Sequence, residues 1–316
     1  MKKHSKQISF FLIFIMLFTY IPTKSFALEL IPNGESTNAK DTSYTVKPGK
    51  IVKEIVEKRE KNIKHFLKDD GTYEAVIYPN PVHYLEKGNW QDIDNSLIEV
   101  DDADKVGNKI LSTRQNDYNV KIDSNLDSKK LVSLEKDKYK VEWNIQNAQI
   151  NKSQIQPIDD TAINDEIDKE VNAKVDSNKK IKDKAETKAI LIENAKKETL
   201  KNITSQINFN NIYPNVDLQY IVDSDNLKEN IILKKQIDLP VFTFNMNVKN
   251  LTPKIQKDNI ITFYDDKDSN KAIFKMQAPF MTDANKEKSN KISVLLEQSS
   301  DGYTLTIKPD TEWLNS

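Results

Sequence analysis

Apolar and polar residues alternate along most of this chain with the period of two that belongs to half-buried β-strands. Tyr139, Val141, Trp143 and Ile145 stand against Lys140, Glu142 and Asn144; Tyr118, Val120 and Ile122 repeat the pattern. Leu218, Tyr220 and Val222, then Phe242, Phe244, Met246 and Val248, and finally Tyr303, Leu305 and Ile307 do the same. Turn signals separate these runs. Asp70-Gly71, Gly88-Asn89 and Asp301-Gly302 offer the positive φ that tight hairpins need, and Pro214-Asn215 predicts a corner before a strand. Strict alternation with a polar opposite face predicts antiparallel sheets, and many short strands predict a β-sandwich.

Two stretches depart from this pattern. Ile51, Ile55 and Val56 sit at helical spacing and predict a short helix before the Asp70-Gly71 hairpin. Residues 151–200 are charged, and their segment from Ala162 to Leu200 holds neither Gly nor Pro. Ile163, Ile167, Val171 and Val175 recur there every four residues, predicting a charged helical or partly disordered insertion that acts as a solvated spacer. The expected organisation is a first β module over 46–150, the insertion, and a second β-sandwich module over 201–316. A flexible segment, 28–45, precedes them.

The N-terminus changes the picture from fold to compartment. A basic MKKHSK precedes the apolar run Ile8–Ile21, which is shorter than the roughly 20 residues of a membrane-spanning helix. Ser25 and Ala27 then supply small residues for cleavage between Ala27 and Leu28, so residues 1–27 are expected to be a signal peptide, with no membrane association afterwards. Four lysines and no acid leave with it. The rest carries 43 of the 47 basic residues against all 48 acidic ones, a net charge of −5, which gives no electrostatic reason to bind nucleic acid. The absence of cysteine removes disulfides, thiol nucleophiles and thiolate metal ligands. An exported, cysteine-free chain rich in Lys, Asn and Ile suits a Gram-positive bacterium with an AT-rich genome.

Candidate chemistry is sparse. His65 and His83 are lone histidines expected at strand surfaces or edges, without the HxH or HExxH spacing of a metal site. The acidic runs at 101–105 and 264–270 resemble calcium-ligand compositions but lack the EF-hand's Gly and Glu, and polar hairpin loops explain them equally well. No nucleophile elbow, phosphate loop or dinucleotide fingerprint occurs, so neither a catalytic residue, a metal site nor a cofactor is expected. Tyr78, Tyr84 and Trp90 are candidate ligand-contact aromatics for sugar, although aromatics at strand spacing more often belong to cores.

The ordered blocks GTYEAVIYPNPVHY and GNWQDIDNSL, NIYPNVDLQYIV, LKENIILKK, and GYTLTIKPDTEWLN resemble one known region. It is the N-terminal, pre-repeat part of large secreted Gram-positive proteins with rearrangement-hotspot (YD) repeats, including wall-associated proteins that carry DNRLRE-type modules. The resemblance covers about 50–316, less the charged insertion. It implies a further strand after TEWLN, then repeats and a C-terminal toxin, so the second module is expected to lack its last strand. The implied role is a non-enzymatic, exported structural or presentation module. Its expected partners are downstream repeat or toxin modules of the same system, or cell-wall glycan. A carbohydrate- or wall-binding module is the alternative, and a secreted hydrolase stands behind both.

Overall fold

The computed structural model describes residues 8–15 as backbone, then 50–103, 107–123, 130–149, 205–235 and 240–315, with Asp168 and Asn172 between. The expected cleavage point Ala27–Leu28 and the segment 28–45 lie outside the described residues.

In chain order the first strand is β1 (Ile8–Ile15), followed by β2 (Ile51–Glu54), a 3-10 turn at Val56–Lys58, β3 (Ile63–Lys68) and β4 (Tyr73–Ile77). A hairpin of β5 (His83–Glu86) and β6 (Asn89–Asp92) leads to β7 (Asp94–Asp101), β8 (Lys109–Gln115), β9 (Asn119–Asp123), β10 (Val132–Lys136) and β11 (Tyr139–Ile145). Beyond residues 151–200 come β12 (Gln206–Tyr213), β13 (Val216–Val222), β14 (Asn226–Leu233), β15 (Phe242–Lys249) and β16 (Leu251–Ile255). The chain continues through β17 (Ile261–Asp265), β18 (Asp268–Met276), β19 (Phe280–Thr282) and β20 (Lys288–Ser289). It then forms β21 (Ile292–Ser299), β22 (Gly302–Pro309) and a short helix α1 (Thr311–Asn315).

Two large sheets form the sandwich. One runs β12-β13-β14-β1-β18-β17-β16, with β19 and β20 attached beside β1; the other runs β21-β22-β15-β11-β10-β9-β8-β7. Strands from both sides of residues 151–200 pair directly, since β11 meets β15 in the register Ile145↔Phe244 to Lys140↔Lys249. The alternation explains the layering. β11 and β13 bury every second residue without a break, and their inward faces join one core that includes Trp143, Phe209, Leu218, Tyr220, Phe244, Phe263 and Phe274. The two small sheets, β2-β3-β4 and β5-β6, sit N-terminal to this core.

The turns reflect local chemistry. Asn215, at φ +64° after Pro214, closes the two-residue link between β12 and β13 with the positive φ that a type II turn requires. The Asp217 carboxylate accepts the Asn211 amide at 2.7 Å, so the corner reads as structural.

Three expectations are corrected. The fold is mainly β and antiparallel, but no charged helical insertion is found. Among the described residues no helix reaches seven residues, and α1 has five. Residues 151–200, apart from Asp168 and Asn172, lie outside those described. The Ile51–Val56 stretch is a strand followed by a 3-10 turn rather than a helix, because β-branched Ile51 and Val52 suit an extended edge and β3 offers one. The β5–β6 turn is Lys87-Gly88, both at positive φ, one residue before the expected pair.

Candidate functional site at the seam of hairpins and sandwich

A cavity of about 180 Å³ lies where the small sheets meet the sandwich, lined by Lys64, Tyr78, Asp92, Asn95 and Asp223 among others. It lies below the size of ordinary small-molecule sites, at roughly 300–1,000 Å³, and has room for one small polar group or a few waters.

One wall is a charged cluster. Arg59 spans β2 and β6: its guanidinium donates to Glu54 at 2.7 and 3.0 Å and to Asp92 at 2.8 Å. Lys64, from β3, donates to the other Asp92 oxygen at 2.8 Å. Burial would raise the Asp92 carboxyl, but the Lys64 hydrogen bond and the nearby positive charges outweigh it and hold it below its usual value. The Arg59 hydrogen bond is the largest influence on Glu54, which is lowered as well. His83 is buried beneath, contrary to a strand-surface position. Its Nδ1 is 2.6 Å from the Glu60 carbonyl, and its Nε2 faces Asp92 at 3.5 Å and Glu54 at 3.8 Å.

The opposite wall is a neutral clamp. The Asn95 side chain donates to the Asp223 carbonyl at 2.6 Å, and Asn116 donates to Asn95 and to the Ser224 carbonyl, both at 2.9 Å. Tyr118, just ahead of β9, donates its hydroxyl to the Asp223 carbonyl at 2.5 Å. These bonds tie the β7–β9 end of one sheet to the β13–β14 turn of the other, across more than a hundred residues of sequence.

The candidate aromatics are not gathered. Tyr78 lines the cavity. Tyr84 pairs with Gln91 and Trp90 with Leu85, so alternation puts Tyr84 and Trp90 on opposite faces of the β5–β6 hairpin. Trp90 leans towards His83, with ring centroids 6.5 Å apart. Among the described residues no three of His, Cys, Asp and Glu are grouped to hold a metal ion. The carboxylates of the 264–270 run are used within the protein: Asp265 accepts the Tyr139 hydroxyl at 2.5 Å and the Lys267 amide at 2.9 Å.

A second polar node lies in the sandwich core and was missed in the sequence. Glu229 on β14 is fully buried, accepting Trp143 Nε1 at 3.0 Å from across the core and bonding Tyr220 beside it. Burial pushes its carboxyl up to about 7, against the pull of those two donors. A raised carboxyl is what general acids have; this one stands buried in the core between Trp143 and Tyr220.

Sequence comparison finds relatives among wall-associated proteins of bacilli. The tRNA nuclease WapA of Bacillus subtilis (strain 168) is 28% identical over 272 residues, covering 83% of this chain and 10% of that protein. The tRNA3(Ser)-specific nuclease WapA of Bacillus spizizenii matches to the same extent. The wall-associated protein of Geobacillus stearothermophilus is 25% identical over 245 residues, covering 76% of this chain and 77% of that one. The chain spans about a tenth of the length of the nucleases it matches. No family model and no solved structure gives a match. The chain is homologous to these Gram-positive proteins over most of its length, and it is secreted or cell-wall-associated.

Proposed function

We propose that the chain is a non-enzymatic β-sandwich module of an exported, wall-associated repeat protein, placed ahead of the repeats and serving to fold and present them. Its partners are the repeat or toxin modules of the same system. One observation carries the reading: the seam spends its polar groups on bonds within the protein, tying the two large sheets to each other and the small sheets together. Asn95, Asn116 and Tyr118 are all bonded to the β13–β14 turn, and Arg59 and Lys64 are bonded to Asp92 and Glu54. The relatives' nuclease names describe proteins of which the matched part is only 10%, so tRNA cleavage is not carried to this chain.

The purified chain is expected to leave tRNA and peptidoglycan intact over hours, and the exported form to begin at Leu28 by mass spectrometry. Cleavage of either polymer that disappears in Asp92→Asn would overturn the non-enzymatic reading. Recovery of intact Met1 from the cytosol would overturn export.

A second reading, binding of wall glycan, is favoured by Tyr78 standing beside Lys64 and Asp92 on the cavity wall. On that reading Tyr78→Ala weakens sedimentation with purified cell walls about tenfold, the worth of one good contact. Tyr84→Ala, outside the cavity, leaves it unchanged. Equal behaviour of the two variants returns the seam to a purely structural role.

A further inference from the structure

The nine-stranded sheet has an unusual middle. β14 pairs with β13 along one edge, from Val216↔Leu233 to Val222↔Leu227. Its other edge is taken by β1 over eight residues, from Ile8↔Leu233 to Ile15↔Asn226. The far side of β1 meets β18 at Phe14↔Met276 and Ile15↔Lys275, and β19 from Ser9↔Thr282 to Phe11↔Phe280. One strand therefore bridges two halves of the sheet that do not otherwise touch along their edges. That strand is the apolar core of the segment the sequence marks for removal.

The walls of this gap are built for an occupant. Natural edge strands are blunted by proline, charge or bulges. β14 has neither proline nor bulge; it carries Lys228 and the inward-facing Glu229, but Leu227, Ile231 and Leu233 beside them are buried as in an interior strand. On the other wall Phe274, Met276 and Met281 are buried too. An empty gap would expose a row of backbone donors and acceptors together with the top of the sandwich core, and both costs vanish when an extended apolar strand enters. Pairing of this kind is the general mode by which peptides add to sheets.

We propose that the sandwich is a strand acceptor: the gap between β14 and the β18–β19 edge takes an eight-residue, extended apolar segment running antiparallel to both walls. In the unprocessed chain residues Ile8–Ile15 fill it. Once they are removed, an extended apolar segment of another polypeptide enters in the same direction and register.

The cysteine-free sequence makes a clean cross-linking test. Ser9 lies directly opposite Ile232. In the full chain, Ser9→Cys with Ile232→Cys places the two Cα atoms at roughly 4.5–5.5 Å, inside disulfide range. Ser9→Cys with Lys228→Cys is offset by four residues, or about 13 Å, outside it. Mild oxidation is expected to cross-link the first pair about tenfold faster than the second. Equal rates would overturn the register. The second arm uses the full chain with Phe11→Pro, Ile13→Pro and Ile232→Cys, whose own leader can no longer pair. A synthetic peptide of residues 8–15 with Ser9→Cys is expected to cross-link to it, and the same peptide with Phe11→Pro and Ile13→Pro, which cannot complete the ladder, is not. Failure of the first peptide, or equal capture of the proline-bearing one, would overturn the acceptor.

Discussion

Replacing Glu229 by glutamine is expected to stabilise the protein by about 3 kcal/mol at pH 8 and to change little near pH 4.5. The folded-state carboxyl is raised to about 7 from an ordinary 4.5. Between those values the folded state holds a proton that the unfolded chain has released, so stability falls as pH rises through this window and levels off above it. A shift of that size corresponds to about 3 kcal/mol, taken at 1.4 kcal/mol per pH unit. Glutamine keeps an acceptor for Trp143 Nε1 and has nothing to ionise, so the variant should show no decline there. The opposite limb lies in acid. The Tyr139 hydrogen bond is the main cause that depresses Asp265, and the Arg59 hydrogen bond that depresses Glu54. Their contribution is present above ordinary carboxylate pKa values and is lost as pH falls through the depressed ones. Urea titrations at pH 4.5 and 8, monitored by circular dichroism, read the first limb, and titrations continued into more acidic solution read the second. Parallel pH slopes for the wild type and the Glu229→Gln variant would show that the carboxylate is not the source of the decline.

The other large effect is expected at Gly302. It opens β22 at φ +133°, a conformation L side chains rarely adopt, and an added Cβ would lie 2.4 Å from the Met246 carbonyl oxygen. The Asn247 side-chain oxygen, at 2.5 Å, can swing away, but the Met246 carbonyl is part of β15. Backbone strain and overpacking together should cost about 3 kcal/mol or more in Gly302→Ala. Gly71 and Gly88 also have positive φ but nothing within 4 Å, so alanine there should cost only about 1–2 kcal/mol. Chemical melts of the three variants make the comparison. If Gly302→Ala loses no more than the other two, the contact with β15 is softer than the geometry implies.

The strands were legible because their side chains obey a local rule. Val141, Trp143 and Ile145, or Leu218, Tyr220 and Val222, alternate with polar neighbours and are buried accordingly. Partner choice was not legible, since nothing in Ile145 announces that it will lie beside Phe244, a hundred residues away. Glu229 shows how a charge hides. Leu227, Ile231 and Leu233 mark the inward face of β14, and the same alternation places Glu229 among them, with no local signal of the Trp143 and Tyr220 partners that meet it there. The helical spacing of Ile51, Ile55 and Val56 misled for the reverse reason: three residues fit a period by chance while the sheet edge decided. The seam assembles Arg59, Lys64, His83 and Asp92 from four separate elements. No motif spacing could foretell that meeting, and only Tyr78 among the aromatic candidates reached the cavity.

The pairing of β11 with β15, and of β15 with β22, sets the timetable of folding. The central strand of the eight-stranded sheet, made early, waits for partners that end at Pro309, and the clamp from Tyr118 to Asp223 waits for a turn 105 residues downstream. Such distant contacts mean that loop-closure entropy is met before any reward arrives, which slows folding. The meander β7 to β11 can close among its own neighbours, but its inward face stays uncovered until β12 to β22 have been made. A partly made chain therefore carries a long apolar face with nothing to cover it, and the last strands to arrive are the ones that end its exposure to unwanted partners.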